Sequence, residues 1–234
     1  VLLPAATLAA TDSNNDTLQA PALVITSGRK AEPKAQATAA TSVFTRKDIE
    51  RLQVRNVDEL LTRVPGVSVT RNGGPGSLTG VFMRGTSSAQ SLVLVDGQRI
   101  AAASSGTSSL EFLSIDQIER IEVVRGSRSS LYGSDAIGGV IQIFTRSGSN
   151  TPAQPYMRLA AGSHSTYERT LGVSGGDAQT RYNLGGTLNE SQGIDNTGGS
   201  LGQNSDNDAL RNRALSMNVS HQFNDQLEAG ISAL

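Results

Sequence analysis

Two textures of hydrophobic spacing divide the chain. Up to about residue 150 the apolar positions change between helical and strand spacing, and beyond it a period of two takes over. In the first part Val57, Leu60, Leu61 and Val64 fall on one helical face, and Pro65-Gly66 stops the run. The spacing predicts a helix over 57–63 capped by Asn56. Thr45, with Asp48 three residues on, predicts an earlier helix start, because a side-chain oxygen and a carboxylate both suit free N–H groups. Short runs predict strands over 67–70, 80–84, 92–95, 118–125 and 140–145. Asp96-Gly97 predicts a hairpin turn into 98–101, and Ser114 a cap for one helical turn over 115–117. The expected core is Leu60, Val67, Val81, Leu92, Leu94, Ile121, Val123, Ile141 and Ile143.

In the second part Tyr182, Leu184 and Leu188 share one strand face, and Asn183, Thr187 and Asn189 the other. Leu215, Met217, Val219 and Phe223 oppose Ser216, Asn218, Ser220 and Gln222, and Leu227, Ala229, Ile231 and Ala233 begin a further strand. Segments of about 10 residues with one apolar face mark a transmembrane β-barrel. A soluble β-sandwich alternates in the same way, so the pattern leaves both open. The connections 162–165, 175–179 and 223–226 are short, and 189–211 is long. Outer-membrane barrels keep short turns inside and long loops outside. If the chain enters such a barrel from the inner side, parity places the long connection outside.

Composition narrows the classes. No stretch of about 18 apolar residues is present to form a transmembrane helix, so a membrane role needs β-strands in a closed barrel. There are no cysteines, which removes disulfides and thiolate metal sites. The net charge of -1 gives no global pull toward nucleic acid or anionic lipid. The opening VLLPAATLAA resembles the end of a secretory leader, and residues 1–20 are small and polar, as in a disordered tail. ALVIT at 22–26 is an apolar island within that tail. The sequence stops at Leu234 inside an alternating pattern and reads as an N-terminal fragment.

Four segments stand in a telling order: VPGV at 64–67, FMRG at 82–85, LVLVDGQR at 92–99, and IERIEVVRGSRSSLYGSDAIGGVIQIFTR at 118–146. Together, over about 21–147, they resemble the plug of TonB-dependent outer-membrane receptors. NGGPGSLTGVFMRGT at 72–86 and YGSDAIGGV at 132–140 are most similar to the cobalamin (vitamin B12) receptor subfamily. The resemblance implies an α+β plug domain followed by the first antiparallel strands of a transmembrane β-barrel, incomplete here. It divides the chain into a leader remnant and disordered tail (1–20), a TonB box and linker (21–30), a plug domain (31–150) and about five barrel strands (151–234). The implied function is energised uptake of cobalamin across the bacterial outer membrane, the alternatives being a ferric siderophore or haem. A non-transporting β-rich binding protein is the remote alternative. The implied partners are TonB, the metal chelate and outer-membrane lipid, with no nucleic acid and a monomeric full-length receptor.

The resemblance also assigns residues. Leu23, Val24, Ile25 and Thr26 form the TonB box, an extended segment able to add a strand to the energy-coupling partner. Substrate contacts fall on outward plug loops, at Ser77, Leu78 and Thr79, and at Ser104 and Ser105 in AAASSGTSS. Small residues there let a bulky ligand approach the backbone. Asp195, Asp206 and Asp208 match a calcium site of cobalamin receptors; Ca²⁺ takes 6–8 oxygen ligands, and the ion would be structural and substrate-linked. Arg84 and Arg125 match arginines that lock plug to barrel. No catalytic cofactor and no enzyme activity are expected. Gly172-Val173-Ser174-Gly175-Gly176 fits G-x-S-x-G but lacks the strand–turn–helix context of a nucleophile elbow. Gly73, Gly74 and Gly76 lack the lysine and helix of a phosphate loop.

Overall fold

The computed structural model describes residues 24–25, 32–33, 39–102, 106–195 and 207–234. In chain order the elements are β1 (Val24–Ile25), β2 (Glu32–Pro33), β3 (Ala40–Thr45), α1 (Arg46–Leu52), α2 (Val57–Leu61), β4 (Val67–Arg71), β5 (Thr79–Met83), β6 (Ser91–Val95), β7 (Gln98–Arg99), β8 (Ile118–Arg125), α3 (Ser129–Tyr132), β9 (Gly139–Thr145), β10 (Gln154–Gly162), β11 (Thr166–Gly176), β12 (Thr180–Ser191), β13 (Leu210–Asn224) and β14 (Leu227–Ala233).

The Thr45–Asp48 signal is realised as a reciprocal cap on α1. The Asp48 N–H donates to Thr45 Oγ1 (3.4 Å), and the Thr45 N–H donates to Asp48 Oδ2 (3.1 Å). Asn56 starts α2 but makes no side-chain cap bond; it forms an isolated bridge with Ser114. The helix ends at Leu61 because Arg63 and Val64 donate to Leu60 and Leu61, tightening the last turn. β3 and α3 are absent from the sequence reading. β3 carries only Val43 and Phe44 as sizeable apolar residues, and its extended form comes from pairing with β8.

The N-terminal sheet runs β3-β8-β9-β6-β7, with β6 and β9 parallel and the other pairs antiparallel. One face packs on α1, α2 and the β4–β5 hairpin around Ile49, Leu60, Leu61, Met83, Ile121 and Ile143. A smaller cluster of Leu92, Leu94, Ala136 and Val140 covers part of the other. Every expected core residue is buried except Val67, which packs on the core while partly exposed. Asp96 gains a second role beyond its turn. Its carboxylate accepts from the Thr145 N–H (2.9 Å) and Thr145 Oγ1 (2.6 Å), tying the β6–β7 hairpin to the end of β9.

Gly139 opens β9 at φ +152°, where a β-carbon would collide with the Val124 carbonyl oxygen and lie 3.0 Å from Met83 Sδ. Gly139→Ala is therefore expected to destabilise this unit by roughly 1–3 kcal/mol. A denaturant titration checks it, and an unchanged midpoint would show that the backbone yields there.

The second unit is a five-stranded antiparallel sheet, β10-β11-β12-β13-β14, joined by tight turns except at 192–209. Its burial is inverted relative to a water-soluble sheet. Thr170, Asn183, Thr187, Ser191 and Ser216 are buried, whereas Met157, Leu171, Leu215 and Ile231 are 67%, 60%, 79% and 66% exposed. A soluble sandwich would bury the leucines and wet the threonines. The inversion decides between the two readings of the alternation, since only a lipid-facing wall presents its apolar side outward. Among the described residues no helix is long and apolar enough to cross a membrane. The G-x-S-x-G segment lies within β11, so it forms no nucleophile elbow.

Candidate functional site

The loop 72–79 is the first candidate ligand surface. Asn72 N–H donates to Leu78 O (3.2 Å) and Ser77 N–H to Gly74 O (3.2 Å), closing a compact turn. Leu78 is 52% exposed, and Ser77 is half-buried. Thr79 is buried, and its hydroxyl donates to Ser77 O (3.2 Å), so it shapes the loop from inside. Gly76 has φ +83°, and a β-carbon there would lie 2.7 Å from Leu210 Cδ1. This contact sets the loop against the first residue of β13, directly after the long connection.

Beside this loop lies a cleft of about 610 Å³, walled by α2 and Pro75 on one side and by Ser163, His164, Thr166, Ser191 and Leu210 on the other. Asp58 and Arg71 form an ion pair at its edge. At the base of the long connection Asp208 N–H donates to Ile194 O (3.1 Å), which brings Asp195 and Asp208 to the same place. Asp206 lies outside the described residues, as do Ser104, Ser105, Leu23 and Thr26. Among the described residues no three acidic or imidazole side chains are gathered for a metal.

Arg84 and Arg125 converge on the Pro65-Gly66 turn. Arg84 N–H donates to Gly66 O (2.9 Å) from a left-handed backbone at φ 53°, and Arg125 Nη1 donates to Pro65 O (2.8 Å). Neither forms an ion pair among the described residues.

The strongest link between the two units is one the sequence reading missed. Asp116, on the 3-10 turn Ile115–Gln117, is 6% exposed. Its carboxylate accepts from Arg158 Nη1 of β10 at 3.1 and 3.0 Å and from Thr170 Oγ1 of β11 at 2.9 Å. Arg46 of α1 stands 3.9 Å away and donates to Ile115 O and Ile118 O (2.9 and 3.0 Å), clasping the same turn. Nearby, the Arg146 guanidinium lies 4.3 Å from the centre of the Tyr156 ring, and burial pulls its pKa below the usual arginine value. Tyr156 in turn spans Gly172 and Gly185, whose missing side chains make room for its ring, and donates to Asn183 Oδ1 (3.2 Å). A signal existed for part of this: Arg158 alternates with Tyr156 and Ala160 on the inward face, where an arginine needs a partner.

The α+β unit with an adjoining membrane wall is the architecture of a known family. Residues 33–140 match the family described as the TonB-dependent Receptor Plug Domain. The chain carries a TonB-dependent receptor plug. The siderophore receptor PirA from Acinetobacter baumannii is 28% identical over 82% of this chain, with a TM-score of 0.63. The pyoverdine outer membrane receptor FpvA from Pseudomonas aeruginosa PAO1 is 17% identical over 89%, with a TM-score of 0.73. The ferric yersiniabactin uptake receptor FyuA from Yersinia pestis is 22% identical over 83%, with a TM-score of 0.63. The last two likenesses are of fold alone. This chain spans 30%, 29% and 30% of those receptors, respectively. A plug followed by antiparallel wall strands places the protein in the bacterial outer membrane. In these terms the Asp116 cluster joins the plug to the first two wall strands.

Proposed function

We propose that this chain is the plug and first wall of a receptor that imports cobalamin by TonB-dependent transport. The observation that carries the reading is the seating of loop 72–79 on Leu210. A ligand resting on that plug loop also meets the strand that follows the long outer connection, so occupancy acts on both. The likeness of 72–86 and 132–140 to cobalamin receptors supports cobalamin as the ligand, as do the three aspartates. Asp195 and Asp208, with Asp206, would hold Ca²⁺, whose fixed positive charge ties the two ends of the outer connection together. The protein performs no covalent chemistry. It binds outside, passes occupancy through the plug to the segment 21–30, and offers that segment to TonB as an added strand. Val24 and Ile25 pair with Pro33 and Glu32 of their own chain. Such a short ladder is held by few hydrogen bonds at about 1 kcal/mol each, so its exchange for a partner strand costs little.

A ferric siderophore is the second reading, favoured by the 28% identity to PirA. Equilibrium binding of cobalamin and of a ferric catecholate to the full-length receptor, with calcium and with chelator, separates them. Cobalamin binding that weakens about 10-fold or more without calcium is the expected result. Calcium-independent cobalamin binding would remove the role of the aspartates, and ferric chelate binding alone would replace the ligand.

A further inference from the structure

The inner face of β12 carries hydrogen-bonding groups that neither the plug fastening nor the strand ladder uses. From the outer end inward its rungs are Ser191, Asn189, Thr187, Gly185 and Asn183, with no charged side chain among them. Ser191 and Asn189 line the cleft beside loop 72–79. Asn189 Oδ1 is buried there without a hydrogen-bond partner among the described residues. Roughly 27 Å from Ser191 along the strand, at about 3.4 Å per residue, stands Asn183, which is 1% exposed. Its Oδ1 accepts from the Tyr156 hydroxyl (3.2 Å), and its Nδ2 has no partner among the described residues.

Two unpaired amide atoms on one strand face destabilise the fold and hold nothing together. Buried donors and acceptors left unmade are rare for that reason, and each calls for a use. They are not an effect of an open sheet edge. Asn189 stands opposite Glu168 of β11 and Asn212 of β13, and Asn183 opposite Ser174 and Asn218. The charged inward groups lie on the neighbouring strands and are already engaged, Arg158 of β10 with Asp116 (3.0 Å) and Glu168 of β11 with Arg158 (3.4 Å). The plug is thus fastened to β10 and β11, while β12 beside them presents neutral amides and hydroxyls. The inner end of this row is closed. The Tyr156 ring lies across the bare backbones of Gly172 and Gly185, and the Arg146 guanidinium at the end of the plug covers the ring at 4.3 Å.

We infer that the inner face of β12 is the track along which the transported chelate descends, with Asn189 at its entrance and Asn183 at a closed inner station. The ligand class is a large chelate that shows amide or hydroxyl groups at its surface. Asn189 Oδ1 accepts from such a group, and Asn183 Nδ2 donates to one. Neutral groups at spaced rungs hold a passing ligand weakly at several points, which lets it leave each as readily as it enters. A charged rung would trap or repel a charged chelate. When the plug moves from the wall, Arg146 leaves the Tyr156 ring, which then swings off the glycine notch and uncovers Asn183. The track rests on the uptake reading above and not on which chelate is carried.

The test is made in cells carrying the full-length receptor, with radiolabelled cobalamin and, in parallel, a radiolabelled ferric catecholate. Two variants remove the track: Asn189→Leu, and Asn183→Leu/Tyr156→Phe, which deletes both partners of one hydrogen bond and leaves neither unpaired. Each is expected to lower the maximal rate of energised uptake at least about 10-fold and to leave equilibrium binding to de-energised cells within about 2-fold. The thermal midpoint of the purified receptor should not fall, because unpaired polar atoms have been removed. Asn189→Gln keeps the amide and should retain most of the uptake. These 234 residues hold no cysteine, so Asn183→Cys reads the station directly. Its alkylation by a thiol reagent should be at least about 10-fold faster during energised uptake, when the station is uncovered, and be slowed by excess chelate. Undiminished uptake in both leucine variants, or alkylation that ignores energy, overturns the track. A lower midpoint with uptake and binding falling together would make the two amides structural parts and overturn it as well. A wild type that binds chelate but shows no energised uptake would sink the uptake reading first, and the track with it.

Discussion

Asp116→Ala in the full-length receptor is expected to loosen the plug from its wall by about 2–3 kcal/mol. The carboxylate bridges two bodies: it is fixed by its own turn and by Arg46 on the plug side, and by Arg158 and Thr170 on the wall. Removing it takes from each guanidinium one of its carboxylates, leaving Arg158 with Glu168 (3.4 Å) and Arg46 with Glu50 (2.8 Å). Breaking a buried pair costs roughly 3–5 kcal/mol, and the smaller figure applies here because the Arg158 side chain keeps 33% of its surface and can rehydrate. Asp116→Asn keeps the volume and loses the charge, so it should fall close to the alanine variant. Thr170→Val removes the hydrogen bond to Asp116 (2.9 Å) and the longer one shared with Thr187 Oγ1 (3.3 Å), and should cost about 1–2 kcal/mol. Calorimetry of the plug transition measures all three. A double-mutant cycle with Arg158→Met gives the decisive number, and strictly additive effects would mean that the cluster does not couple the units.

A proline at Val24 or Ile25 is expected to abolish energised uptake while leaving ligand binding within about 2-fold. Proline deletes one backbone N–H and fixes φ, which removes a rung from any strand added to a partner sheet. The ligand surface lies on loops far along the chain and loses nothing. Uptake of labelled ligand by cells, set against equilibrium binding to the same cells, checks it. Preserved uptake would show that 23–26 is not the coupling strand, and lost binding would show that the tail supports the plug itself.

Much of this organisation was legible in the sequence because it depends on local rules. The α1 cap needed only a threonine and a carboxylate at the right spacing. The DG turn was readable from its dipeptide, and β8 runs over 118–125 as its spacing predicted. Asn56 failed as a side-chain cap because its segment was drawn into a bridge with Ser114, a partner that no local pattern contains.

By itself, then, the sequence determined the periodicities, the caps and turns, and a plug-like order of motifs, since each is set within a few residues of chain. Tertiary structure decided which face of the alternating strands is buried. Membrane strand and soluble strand share a period of two, and only packing against the plug shows that the polar side is inside. It also decided the joining of Asp116 to Arg158 and Thr170 and the seating of Gly76 on Leu210. Those contacts join residues tens of positions apart, and folding the plug against the wall is what brings them within reach.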